Sequence, residues 1–186
     1  SLKGVDAIPE ELVLDKINRH KNMVEGVCIT GGEPTMQPDL PDFIRRLKAT
    51  GLLVKLDTNG VHPRMVGELI AGGLLDFIAM DLKHTWSRYA EVTSVAQANL
   101  IANCQETFGL IQSSSVAHEF RTTVYPALHA ADDLIALARQ LREGESYALQ
   151  EIRYEKTLVP GLRQAPHLDL QTVAERIRLA CPAVTV

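Results

Sequence analysis

Val27-Cys28-Ile29-Thr30-Gly31-Gly32-Glu33-Pro34 is a short apolar run that passes directly into paired glycines, an acid and a proline. An apolar run of this length bounded by Gly and Pro reads as a buried strand, here Gly26–Thr30. The glycines can turn a corner, or they can bring backbone N–H groups up to a ligand. Downstream the pattern repeats. Leu52–Asp57, Leu75–Asp81, Val116–Val124 and Tyr147–Gln150 are further strand candidates. Segments of helical period separate them. Pro9–Lys21 opens with Pro and two acids; Pro38–Thr50 stops before Gly51; Pro63–Ala71 ends at paired glycines. Ser94–Phe108, Ala131–Arg142 and Asp169–Ala180 complete the expected helices. Lys83–Thr93 and Tyr154–His167 are the least regular stretches.

Strand–helix alternation predicts parallel strands with helical crossovers, an α/β fold in a single domain spanning 1–186. The strands read as apolar nearly throughout, which predicts that both sheet faces are covered. A doubly wound sheet and a (β/α) barrel, whole or partial, both fit this periodicity.

The composition is that of an ordinary globular chain, 46% hydrophobic and 23% charged, long enough to bury a core without staples. A net charge of −4 gives no electrostatic reason to expect nucleic acid or an anionic membrane surface. No apolar run approaches the ~20 residues that span a bilayer. Cys28, Cys104 and Cys181 are far apart and odd in number, which argues against a disulfide framework and for a reducing, cytoplasmic setting. The six histidines show no i, i+4 pair, so zinc is not expected.

Parallel strands put their carboxyl ends on one side, where ligands bind. Glu33, Asp57, Asp81, Lys83, Arg121 and Gln150 all fall at or near such ends. Together they suit a small zwitterion, with carboxylates for an ammonium and cations for a carboxylate. Each has a plainer reading: Asp57 could cap the turn at Asn59-Gly60, and Asp81 with Lys83 could be a simple ion pair. Arg121 inside an apolar strand requires a partner or a wet cavity. Trp86 and Tyr89 are expected to anchor the loop after the third strand, with an adenine-facing role as the alternative.

The segment VCITGGEP, followed by LDTNG at Leu56–Gly60 and MDLK at Met80–Lys83, resembles radical S-adenosylmethionine (radical SAM) enzymes of the glycyl-radical activating type. QEIRYEKTL at Gln150–Leu158 resembles activating proteins of anaerobic ribonucleotide reductases, and the likeness runs from about residue 8 to 160. The resemblance implies a partial (β/α) barrel and places Gly31, Gly32 and Glu33 at the ammonium of SAM. It further implies a possible monovalent cation at Asp57 and Asp81, Thr58 among the cofactor-binding residues, Lys83 on the ribose or carboxylate side, and Arg121 at the carboxylate. Gln150 falls near the ribose or adenine. In that family a Cys-x3-Cys-x2-Cys loop after the first barrel strand holds a [4Fe-4S] cluster, and reductive cleavage of SAM yields a 5′-deoxyadenosyl radical. No such cysteine spacing occurs between Ser1 and Val186. The expectation is therefore a fragment of about barrel strands 2–6 plus a C-terminal helix, with strand and cluster loop missing and the chain inert alone.

Partners implied by the resemblance are a glycyl radical enzyme and an electron donor such as flavodoxin or ferredoxin. Rival readings are a radical SAM enzyme with another substrate, a non-catalytic scaffold that binds a partner or nucleotide, and a phosphate-binding barrel. Glu33 beside the glycines opposes the last of these. Loss of a preceding strand would bare one edge of Gly26–Thr30, so residues 1–8 or a second copy of the chain are expected to cover it.

Overall fold

The computed structural model describes residues 7–93, 99–156, 162 and 165–186. Five strands, β1 (Gly26–Ile29), β2 (Leu53–Thr58), β3 (Phe77–Asp81), β4 (Ala117–Val124) and β5 (Ser146–Glu151), form one sheet in chain order. Every adjacent pair is parallel. The helices are α1 (Glu10–His20), α2 (Leu40–Lys48), α3 (Pro63–Ala71), α4 (Tyr89–Val92), α5 (Leu100–Ser113), α6 (Ala131–Ala138) and α7 (Leu170–Ala180).

Strand order equal to chain order means that each crossover advances in the same direction. A doubly wound sheet would reverse at a switch point. The right-handed rule for such crossovers then stacks the helices on one face. Val54, Leu56, Ile78, Met80, Phe120 and Tyr147 form that face, all buried. They join one core with Ile44 and Leu47 of α2, Leu69 of α3, Ile111 of α5, Leu134 of α6 and Ile177 of α7. Each such side chain contributes roughly 1.5–3 kcal/mol by leaving water. The fold is an open, barrel-like α/β sheet.

One expectation is corrected. The strands are not covered on both faces. β2 alternates exposed or half-buried Leu53, Lys55 and Asp57 with buried Val54, Leu56 and Thr58. A period of two is the signature of a sheet with one packed and one wet face.

Helix α5 continues past Phe108 to Ser113 because Ile111 extends its buried stripe. Residues 94–98 of the expected helix lie outside the described residues. α6 stops at Ala138, short of the expected Arg142. Among the described residues β1 pairs with β2 only. Ala7 and Ile8 are exposed and form no strand, and residues 1–6 of the expected edge cover lie outside the described residues. No helix among the described residues is long and apolar enough to cross a membrane.

Candidate functional site

Parallel register brings the odd-numbered residues of β2, β3 and β4 onto the helix-free face. Asp57 lies beside Ala79, Ala79 beside Glu119, and Asp81 beside Arg121. Their side chains form an unbroken chain of alternating charge. Glu119 meets Lys55 at 3.1 Å and Lys55 approaches Asp57 at 3.7 Å. Asp57 meets Arg121 at 3.2 Å, Arg121 meets Asp81 at 3.0 Å, and Asp81 meets Lys83 at 2.8 Å. Three acids and three cations sum to zero, which lets six charges share a half-buried face.

Burial works against the Arg121 cation, but Asp81 and Asp57 outweigh it and push its pKa up. Arg121 thus has the partners that its place in an apolar strand demanded. Its guanidinium stands between the two carboxylates expected to flank a monovalent cation. Asp57 Oδ1 is buried without a hydrogen bond. Burial, then Asp57, push the nearby Cys28 thiol up, so it stays protonated at neutral pH.

At the carboxyl end of β1, Gly31 and Gly32 take φ of +90° and +51°. No atom lies within 4 Å of where a Cβ would stand on either glycine, so conformation and not crowding requires them. The Cβ side of each glycine faces open space.

Glu33 is fully engaged. Its carboxylate accepts the Thr35 N–H at 3.2 Å and the Thr35 hydroxyl at 2.5 Å. It also accepts the Thr58 hydroxyl at 2.8 Å and the Asn59 N–H at 2.7 Å. Glu33 therefore ties the loop after β1 to the end of β2. Thr58 is a support on the packed side of β2: its Oγ1 also accepts the Gly60 N–H at 3.1 Å. Asn59, not Asp57, caps the turn, its Oδ1 accepting the Val61 N–H at 3.1 Å.

Asp57, Asp81, Lys83 and Arg121 are in direct contact, and Glu33 reaches the residues that follow Asp57. Gln150 shares the open face, being the register partner of Thr123, but it is exposed and its Oε1 meets only the Thr123 hydroxyl, at 3.4 Å. Lys55 and Glu119 were not among the expected site residues. Their signal was present in the alternation Lys55-Leu56-Asp57 and Glu119-Phe120-Arg121. Trp86 anchors as expected, stacked on Tyr89 at 5.3 Å and edge-on to Phe108 at 5.8 Å.

The three cysteines are free, with Cys104 and Cys181 buried and Cys28 exposed. Among the described residues no three His, Cys, Asp or Glu side chains are grouped to hold a metal ion. The thiols of this chain do not fit an iron–sulfur cluster, which requires several thiolates at one point.

A sequence profile of the radical SAM superfamily matches residues 2–100. This chain belongs to the radical SAM superfamily. Among curated relatives, a protein of Methanocaldococcus jannaschii named as a glycyl-radical enzyme activating enzyme is 32% identical over 130 residues, covering 68% of this chain and 54% of that one. A 7-carboxy-7-deazaguanine synthase of Neisseria meningitidis is 34% identical over 88 residues, covering 42% of this chain and 38% of its own. The chain thus spans about half or less of these relatives. A domain of a pyruvate-formate lyase-activating enzyme from Bacteroides vulgatus superposes with a TM-score of 0.65 at 16% identity, covering 87% of this chain and 98% of that one. SuiB of Streptococcus suis, solved bound to S-adenosylmethionine, superposes with a TM-score of 0.66 at 14% identity, covering 93% of this chain and 40% of its own. These two share the radical SAM fold.

Proposed function

We propose that this chain is the SAM-holding part of an activating enzyme that acts on a glycyl radical enzyme, of the anaerobic ribonucleotide reductase kind. One observation carries the reading. The ladder Asp57–Arg121–Asp81–Lys83 ends at the rim where Gly31 and Gly32 present open backbone. That donor set fits the amino-acid end of SAM. The backbone of Gly31 and Gly32 would take the ammonium, and Glu33 would hold their loop in place. Lys83 and Arg121 would meet the carboxylate, and Gln150 would lie toward the ribose or adenine. Asp57 and Asp81 would share a monovalent cation beside the carboxylate of SAM.

SAM together with a reduced [4Fe-4S] cluster would supply 5′-deoxyadenosyl radical chemistry. The cluster's thiolates would come from outside these 186 residues, and the 186 residues alone would be inert. The protein's own part is to position SAM and to exclude water, with no acid–base step at the ladder. By the same reading it works as a single core domain in the cytoplasm, served by a flavodoxin or ferredoxin. A second copy could pair along the β1 edge.

The test is anaerobic reconstitution of the full-length protein with iron and sulfide. Release of 5′-deoxyadenosine under reduction, and a glycine-centred radical by electron paramagnetic resonance on an added glycyl radical enzyme, support the reading. The first without the second points to another substrate. SAM affinity unchanged in both Glu33→Ala and Lys83→Ala overturns the site.

A further inference from the structure

Two histidines distant in sequence meet behind Lys83. His84 follows Lys83 in the loop after β3, and His129 lies in the loop between β4 and α6. Both are buried, and their rings stack at 5.0 Å with 23° between planes. Each reaches into the other's loop. His129 Nε2 meets the Lys83 carbonyl at 2.7 Å, and His84 Nε2 meets the Leu128 carbonyl at 3.2 Å.

The other nitrogen of each ring faces a backbone N–H. Tyr125 N–H donates to His129 Nδ1 at 2.9 Å, and Thr85 N–H donates to His84 Nδ1 at 2.7 Å. For His129, a carbonyl on one side and an N–H on the other leave one consistent assignment, the neutral Nε2–H tautomer; His84 Nδ1 also meets the Thr85 hydroxyl at 3.1 Å.

Other charges surround the pair. From α6, Asp133 Oδ2 lies 3.9 Å from His84 Nε2 and also caps the Ala130 N–H at 2.9 Å. Arg88, from the loop after β3, holds Asp133 at 2.9 Å and pairs with Glu91. The ammonium of Lys83 itself donates to Asp81 at 2.8 Å.

We propose that His84 and His129 form a crossed latch that sets the position of Lys83 and holds only while the His129 ring is neutral. They are positioning residues, and the inference rests on Lys83 contacting SAM. The carbonyl of Lys83 is fixed from behind by His129, so the side chain departs toward Asp81 from a set backbone. Protonating His129 places an N–H at Nδ1 against the Tyr125 N–H, two donors face to face, and the ring must leave. Burial already holds the His129 ring below the usual histidine range.

SAM binding to the full-length protein is measured for the wild type, His84→Phe, His129→Phe and the double variant. Phe keeps the stack and removes the hydrogen bonds. Each single change is expected to weaken SAM roughly tenfold, the low end for loss of an outer support. The double variant should lose no more than the worse single, because a latch has one function. His129→Gln, which can still donate to the Lys83 carbonyl, should recover part. Wild-type affinity should hold down to about pH 6.5 and fall only as pH drops below it through the lowered folded value of His129, and His129→Phe should lack that fall.

Additive losses, or identical pH profiles in wild type and His129→Phe, overturn the latch. Should the Phe variants fail to fold, ring 15N NMR of the wild type judges it: an Nε2–H tautomer of His129 at neutral pH supports it and any other state of that ring overturns it. Should Lys83→Ala leave SAM binding unchanged, the site reading fails. The latch is then judged by hydrogen exchange of the Thr85 and Tyr125 amides, which must quicken in His84→Phe and His129→Phe respectively.

Discussion

Arg121 and Asp81 are register partners across β4 and β3, and their side chains close at 3.0 Å on the helix-free face of the sheet. The same guanidinium meets Asp57 at 3.2 Å, so it neutralises two carboxylates held on adjacent strands. Arg121→Met keeps the apolar stem and removes the charge. It is expected to cost about 2–4 kcal/mol, near what removal of one partner from a buried pair costs. In a double-mutant cycle with Asp81→Asn the combined loss should fall short of the sum. Urea unfolding of the four proteins measures both. A loss below ~0.5 kcal/mol, the level of an exposed pair, would show that water already screens the ladder.

Glu33 is an acceptor for four donor contacts. Glu33→Gln preserves shape but replaces one oxygen with an NH2 group. Either orientation of the amide then points a donor at a donor, the Asn59 N–H or the threonine groups. A cost of about 1–3 kcal/mol follows from the group left unsatisfied. Under the proposed function SAM should weaken as well, although Glu33 need not touch it. Thr58→Val removes one of these donors and should cost about 1 kcal/mol. Thermal melts with parallel SAM titrations check the pair. Glu33→Gln with wild-type stability would mean that the loop after β1 is held by something else.

Tyr89 presents the opposite case. It is buried, and its Oη lies beside the Cys104 thiol and the Lys83 backbone without a hydrogen bond of ordinary geometry. Burial pushes the phenol's pKa up, so the group is neutral throughout the useful range. Tyr89→Phe keeps the stack on Trp86 and removes a polar atom that has lost its water. The expected result is no loss of stability and a gain of up to about 1 kcal/mol. A loss greater than that in urea unfolding would show the hydroxyl engaged in solution.

The rim was legible because parallel strands must end together. Asp57, Asp81, Lys83 and Arg121 could be placed side by side from strand ends alone, and the structure joins them. The lower ladder was also written in the sequence, as the alternation of Lys55, Leu56 and Asp57, but reading the strands as apolar throughout hid it. What Glu33 does could not be read, because two of its four contacts depend on how two loops pack. Its identity marked the motif, while its partners Thr58 and Asn59 are set by tertiary structure. His84 and His129 had no sequence signal at all. No period links residues in different loops, and the register of β3 against β4 alone brings those loops together. The choice between doubly wound and barrel-like winding was likewise beyond periodicity, since both bury the same strands and differ only in the direction of successive crossovers.

The buried ring of His129 also predicts how stability follows pH. Its folded pKa is lowered, chiefly by burial, from an unfolded value of about 6.5. Above that value the ring is neutral in both states and contributes no pH dependence. Below it the unfolded chain binds a proton that the folded chain refuses, so stability falls as pH drops from about 6.5 through the folded value. A second window lies lower. Burial works against ionised Asp133, but the Ala130 N–H and Arg88 prevail and hold its pKa below the usual range. Lys48 and the Val54 N–H do the same for Asp76. Both carboxylates therefore contribute stability that is present above about pH 4 and is lost as pH falls through their folded values. His129→Phe should be less stable than wild type at pH 7.5 and should lose the upper window while keeping the lower. Urea midpoints taken in half-unit steps from pH 7.5 to 3 separate the two. A wild-type midpoint that stays level between pH 6.5 and 5, or a variant that keeps the wild-type slope there, would show that His129 already carries its proton in the folded state.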